Sequence, residues 1–211
     1  MKQKKQKQKA KNGKETLSKV EESLLMSFFP EGREKTIKQL METADYSYER
    51  ANTGLKLLKD KKIITEKKIG STLTYSMDFK NIYSKMAYFN FINDRLIQFA
   101  KKHNPIYNLL KKIENKIDVL ILFGSYSKGT ETEKSDIDVL GVSDDKDKIE
   151  REIHSLKYST GKTFSPIIIP KEEFPKIKKE NPELWHDIIK YGIVFKGIET
   201  LYSTGYEDEF N

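Results

Sequence analysis

Ile117-Asp118-Val119-Leu120-Ile121-Leu122-Phe123 runs directly into Gly124-Ser125-Tyr126-Ser127-Lys128-Gly129, and six residues later comes Ser135-Asp136-Ile137-Asp138-Val139-Leu140-Gly141-Val142. The first stretch is apolar apart from Asp118, as expected of a strand covered on both faces. The last stretch is a second strand. Side chains alternate along a strand, so Asp136 and Asp138 project to one side while Ile137 and Val139 enter the core. Two neighbouring carboxylates repel each other and call for a cation. Magnesium suits one or two carboxylates plus the phosphates of a substrate. Gly124 and Gly129 allow tight turns and close backbone approach. Ser125 offers a hydroxyl and an N–H to phosphate oxygens, and Lys128 a point charge.

A strand, Gly-Ser with a second glycine five residues after the first, and Asp-x-Asp opening the next strand together resemble the nucleotidyltransferase superfamily, which includes DNA polymerase β and the minimal nucleotidyltransferases. The resemblance spans about residues 104–197, ending in Tyr191-Gly192-Ile193-Val194-Phe195-Lys196-Gly197 as a closing strand. It implies a mixed-sheet domain that uses magnesium or manganese. The reaction implied is attack of an acceptor hydroxyl on the α-phosphorus of a nucleoside triphosphate. Asp136 and Asp138 become the catalytic and metal residues; Gly124, Ser125, Lys128 and Gly129 become the nucleotide-binding ones. Family members also place a third carboxylate on a later strand. Here that strand is Thr163–Pro170, which holds no acid; Ser165-Pro166 stands where one is expected, and Glu172 and Glu173 follow the strand end.

The preceding part has a different pattern. Val20, Leu24, Leu25 and Phe28 recur at helical spacing within 17–29, and Ile37, Leu40 and Met41 mark a second short helix. Ser47 is a candidate N-cap for a third helix, in which Ala51, Leu55 and Leu58 form the core stripe. Ile63-Ile64-Thr65, the Gly70-Ser71 turn and Thr72–Ser76 predict a hairpin. Three helices followed by a hairpin resemble the winged helix-turn-helix family over about residues 17–78. That resemblance implies double-stranded DNA as partner, with Tyr48, Arg50, Asn52, Thr53 and Lys56 on the groove-facing helix and Lys67 and Lys68 on the wing. Lys56–Lys68 holds six lysines against two acids, which suits phosphate contact.

Charge locates a further segment. The net charge of +7 equals the seven lysines of residues 1–14, so the remainder is balanced. That lysine-rich stretch predicts a disordered arm able to condense on phosphates. Cysteine is absent, which excludes disulfides and thiolate metal sites. No apolar run approaches the ~18 residues of a membrane span, and a cytoplasmic location is expected. His154 and His186 have no partner at metal-ligand spacing; the first is expected on the surface, while Trp185, Ile188 and Ile189 beside the second predict core packing.

The expected class is α/β (α+β). Its parts are an arm (1–14), a winged helix-turn-helix module (15–80), a connector and dimerisation helix (81–103), a nucleotidyltransferase domain (104–200) and a frayed tail (201–211). The leading function is a magnesium-dependent nucleotidyltransferase joined to a DNA-binding module, acting as a homodimer. Two alternatives stand beside it. One is a transcription regulator that binds nucleotide without transferring it, and the other an antitoxin-like protein that modifies a partner.

Overall fold

The computed structural model describes residues 16–207; the arm at 1–14 and the last four positions lie outside them. The N-terminal elements run α1 (Lys19–Met26), β1 (Lys35–Thr36), α2 (Ile37–Ala44), α3 (Tyr48–Asp60), β2 (Ile64–Ile69) and β3 (Thr72–Met77). Capping boxes start the first two helices, Ser18 with Glu21 and Thr36 with Gln39. Ser47 takes the N-cap position of α3 without a side-chain cap bond. The two-residue strand β1 pairs antiparallel with β3 and completes a three-stranded sheet in the order β1-β3-β2.

Helix α4 (Ile82–Lys102) leads to α5 (Asn104–Ile113), then β4 (Val119–Phe123), α6 (Gly124–Lys128), β5 (Ile137–Val142), α7 (Lys146–Ser155), α8 (Lys157–Thr160) and β6 (Phe164–Ile169). After these come α9 (Ile177–Glu180), α10 (Pro182–Tyr191), β7 (Ile193–Lys196) and α11 (Ile198–Tyr202). The second sheet has the order β6-β5-β4-β7. It is mixed: β5 and β6 run parallel, and the other pairs are antiparallel.

Alternation along β4 divides the core. Leu120 and Leu122 join Ile137, Val139, Ile149, Ile153 and Leu110 on the face covered by α5 and α7. Val119 and Ile121 join Leu140, Val142, Ile188 and Val194 on the other face. That second cluster does not stop at the domain. It continues through Ala87, Tyr88 and Ile92 of α4 into Leu24, Phe28, Leu55 and Phe79. The N-terminal elements and the sheet therefore share one apolar core, with α4 passing between them.

The C-terminal stretch departs from the expected frayed tail. Ser203–Glu207 forms a π-helical turn in which Thr204 and Tyr206 are buried. Tyr202 Oη donates to the Phe79 carbonyl at 2.6 Å and Tyr206 Oη to the Pro30 carbonyl at 2.8 Å. Tyr206 also stacks on Phe79, with ring centroids 5.3 Å apart. Aromatic burial and satisfied hydroxyls hold a segment whose polar neighbours suggest solvent.

Candidate active site

Gly124 makes the site possible. Its φ of +72° lies in the left-handed region, and a Cβ there would come within 2.9 Å of Asp138 Cγ. Only glycine tolerates both conditions, so the Asp138 carboxylate lies against the turn that ends β4. The register gives the same placement, with Phe123 opposite Asp138. Asp136 is exposed just before β5, Asp138 is half-buried within it, and Ile137 and Val139 are fully buried on the opposite side.

The electrostatics follow from this crowding. Burial raises the Asp138 pKa above the ordinary aspartate value, and the charge of Asp136 raises it further; Lys128 pulls it down. A half-buried carboxylate beside a second one, both acting only as oxygen donors, fits a hard divalent cation completed by phosphate oxygens. Among the described residues no group of three or more His, Cys, Asp or Glu side chains could hold a metal ion by itself.

The Gly-Ser segment is helical here. Gly124 and Ser125 form the first turn of α6, Ser127 Oγ donates to the Gly124 carbonyl at 2.9 Å, and Gly129 closes the helix at φ +72°. The Ser125 carbonyl accepts from the N–H groups of Gly129 and Thr130. Lys128 is not a free point charge beside the turn. Its Nζ lies 2.6 Å from Asp187 Oδ2 and 5.4 Å from the centroid of the Tyr191 ring, so α10 holds it. Sequence reasoning misses Asp187, because a lone acid on the polar side of an amphipathic helix carries no signal.

The two fallback carboxylates lie at the wrong end of the sheet. Ser165 pairs with Asp138 and so shares its face, but β6 runs parallel to β5 and carries the chain away. Ile169 pairs with Val142, four residues or roughly 13 Å from Ser165 along the strand. Glu172 and Glu173 come after it and are exposed. Lys171 marks that end through ion pairs to Asp118 at 3.1 Å and Asp144 at 3.7 Å. His154 and His186 are both exposed.

In the N-terminal part, Ala51, Gly54, Leu55 and Leu58 bury one side of α3. Thr53 and Lys56 lie on the exposed side, with Asn52 half-exposed. Tyr48 flanks this stripe and is 59% exposed, the value expected of a side chain with no core role. Arg50 turns back over the Tyr46 ring at 4.1 Å and does not extend the stripe. Lys67 and Lys68 are exposed on β2, directly after Glu66, which pairs with Lys59 at 3.2 Å.

These features define a mixed-sheet α/β domain with one carboxylate, Asp138, set against a glycine turn and a second, Asp136, exposed just before the same strand. Residues 104–199, somewhat less than half of the chain, match the family described as Polymerase beta, Nucleotidyltransferase. No curated protein and no solved structure matches the chain. No helix among the described residues is long and apolar enough to cross a membrane.

Proposed function

We propose that the domain of residues 104–199 binds a nucleoside triphosphate with magnesium and transfers its nucleoside monophosphate to an acceptor hydroxyl, which loses its proton as the bond to the β-phosphate breaks and pyrophosphate leaves. The observation that carries the reading is the Asp138 carboxylate packed against Gly124, with Asp136 on the same side of the strand. A divalent ion held by Asp136 and Asp138 would neutralise charge building on the transferring phosphoryl group. Gly124 keeps the backbone low enough for the ligand to approach the carboxylates. Ser125 and the N–H groups of the first turn of α6 face phosphate oxygens, and Lys128 leaves Asp187 to meet them. Release of α-phosphate label from ATP or GTP onto an acceptor, lost in Asp136→Ala and Asp138→Ala, tests the reading. Absence of transfer under every acceptor tried, with nucleotide still bound, overturns it.

One observation favours the second reading, a nucleotide sensor. Among the described residues no acid stands on β6 beside Asp138, where Ser165 does. An acceptor hydroxyl then lacks the obvious base, and slow transfer or none is expected.

The order α1, β1, α2, α3, β2, β3 supports a winged helix-turn-helix that binds duplex DNA, with α3 in the major groove and the β2–β3 hairpin on the backbone. Asn52, Thr53 and Lys56 then face bases or groove-edge phosphates, while Lys67 and Lys68 contact phosphate. Tyr48 borders this surface, and Arg50 contributes after leaving Tyr46. Exposed Ile82, Met86 and Ile97 along α4 support a homodimer formed through that helix.

A further inference from the structure

The loop at 30–33, helix α10 and the C-terminal turn enclose a cavity of about 290 Å³. Pro182, Trp185, His186 and Ile189 recur at i, i+3, i+4 and i+7, so they share one face of α10, and that face lines the cavity. Asp187 and Tyr191, also four apart, form the face that meets Lys128. The cavity and Lys128 thus lie on different faces of one helix.

Pro30, Pro182, Trp185, Ile189 and Tyr206 give the cavity flat, apolar walls. Those walls are preformed. Tyr206 is buried, its hydroxyl donates to the Pro30 carbonyl at 2.8 Å, and a Cβ on Gly32 would come within 2.7 Å of Tyr206 Cε1. Charge gathers at the rim, where Arg33, His186 and Lys190 stand. Neither Arg33 nor Lys190 forms an ion pair among the described residues; Lys190 Nζ lies 5.2 Å from the centroid of the Tyr191 ring. The acid in the lining, Glu31, is engaged by Lys35 at 2.8 Å. Burial raises its pKa, but the bond to Lys35 and the charges of Lys35 and Lys190 hold it below the ordinary glutamate value. The lining therefore sets two cations against one ionised acid that already has a partner.

Small-molecule sites are mostly apolar, carry a few polar groups that fix orientation, and lie preferentially where domains meet. The walls suit a flat ring, and the rim suits an anion whose oxygens match the guanidinium fork of Arg33. The volume is at the lower end of the ~300–1,000 Å³ of such sites, which limits the body to one ring or two fused ones.

We propose that this cavity binds a small planar anion, a ring or fused ring bearing one carboxylate or phosphate. The ring lies between Trp185 and the two prolines, and the anionic group meets Arg33 and Lys190. Asp136 and Asp138 take no part, so the site does not rest on the nucleotide reading. Its ligand touches both parts of the chain, through the loop at 30–33 and through α10.

Trp185 is the one tryptophan of the chain, so its emission reports occupancy. The full chain and its Asp136→Ala/Asp138→Ala variant are titrated with benzoate, with the neutral benzyl alcohol and with AMP. Benzoate or AMP is expected to change the emission saturably in both proteins, at concentrations at least tenfold below benzyl alcohol. Arg33→Gln/Lys190→Gln should weaken that response at least fivefold at an unchanged melting temperature, because both side chains stand at the rim. Should the pair not fold, Arg33→Gln alone carries the test with an expected loss of at least threefold. A response to benzoate alone identifies a free aromatic acid as the ligand, and one to AMP alone a mononucleotide. No response to either at millimolar concentration, equal binding of benzyl alcohol, or affinity indifferent to Arg33 and Lys190 overturns the proposal. A response lost in Asp136→Ala/Asp138→Ala overturns it too, by assigning the ligand to the carboxylate site; benzoate binding kept there while nucleotide binding is lost separates the two sites.

Discussion

Lys128 Nζ lies 2.6 Å from Asp187 Oδ2, an ion pair that ties the end of α6 to α10. Both side chains are about one-third exposed, at 34% and 29%, so water weakens the pair. Such an ion pair contributes about 0–1 kcal/mol, less than a charge-assisted bond to phosphate in the same place. Lys128 can therefore exchange Asp187 for a nucleotide. Asp187→Asn is expected to tighten nucleotide binding by up to ~5-fold, the equivalent of about 1 kcal/mol. Lys128→Met should weaken it. Calorimetry decides, and weaker binding by Asp187→Asn would mean that Asp187 itself meets the ligand or its metal.

The Asp138 carboxyl makes a prediction about pH and stability. Burial first, and then Asp136, raise its pKa in the folded chain above the unfolded value of about 3.9. The fold therefore favours the protonated carboxyl. This stabilisation is fully present below the unfolded pKa and is lost as pH rises through the raised folded pKa. At pH 7 the ionised group destabilises the fold. Asp138→Asn should accordingly melt higher than wild type at pH 7 in metal-free buffer, and the gain should shrink towards nothing as pH falls below 4. A variant that melts lower at every pH contradicts the desolvated, crowded carboxylate described here.

Ser165 stands level with Asp138 on the neighbouring parallel strand. Ser165→Asp would restore a carboxylate on the face of the pair. A well-placed general base contributes ~10²–10⁴-fold, so transfer of α-phosphate label should rise within or below that range. No gain, with nucleotide binding intact, would show that the base is not what limits turnover and would favour the sensor.

For the proposed DNA surface, base-reading and phosphate-binding side chains separate by their response to salt. Asn52→Ala and Lys56→Ala should erode sequence preference. Lys67→Ala/Lys68→Ala should weaken binding to all duplexes alike and reduce the salt slope by roughly 2, since each phosphate that a lysine neutralises adds about 0.9 to it. Removing residues 1–14 should flatten the slope while leaving preference unchanged. Gel shifts that find no duplex binding at low salt would make these elements a protein-docking surface.

Much of the fold and of the site is legible in the sequence wherever a local pattern coincides with a local structure. The apolar run into Gly124 and the Asp136/Asp138 alternation place both carboxylates. Apolar periodicity overruns at 17–29, where the Ser18–Glu21 capping box starts α1 at Lys19 and the helix ends at Met26. β1 is two residues long and has no pattern to detect. The remaining differences are tertiary. Tyr202 and Tyr206 look like part of a polar tail until Phe79 and Pro30 accept their hydroxyls. Glu172 and Glu173 follow the right strand in the chain, but its parallel direction carries them to the other end of the sheet. Asp187 reaches Lys128 from a helix whose spacing reports only its own packing.

We infer that Asp136 and Asp138 hold a divalent ion and a nucleotide together beside Gly124. Calorimetric titration of the full chain with ATP and with GTP, in magnesium and in chelator, tests it most directly. At least one nucleotide should bind in magnesium, with little binding in chelator and none in Asp136→Ala/Asp138→Ala, and each single substitution should cost roughly 2–4 kcal/mol as a lost partner of a desolvated charge. Equal affinity in the double variant, or binding indifferent to magnesium, would contradict it.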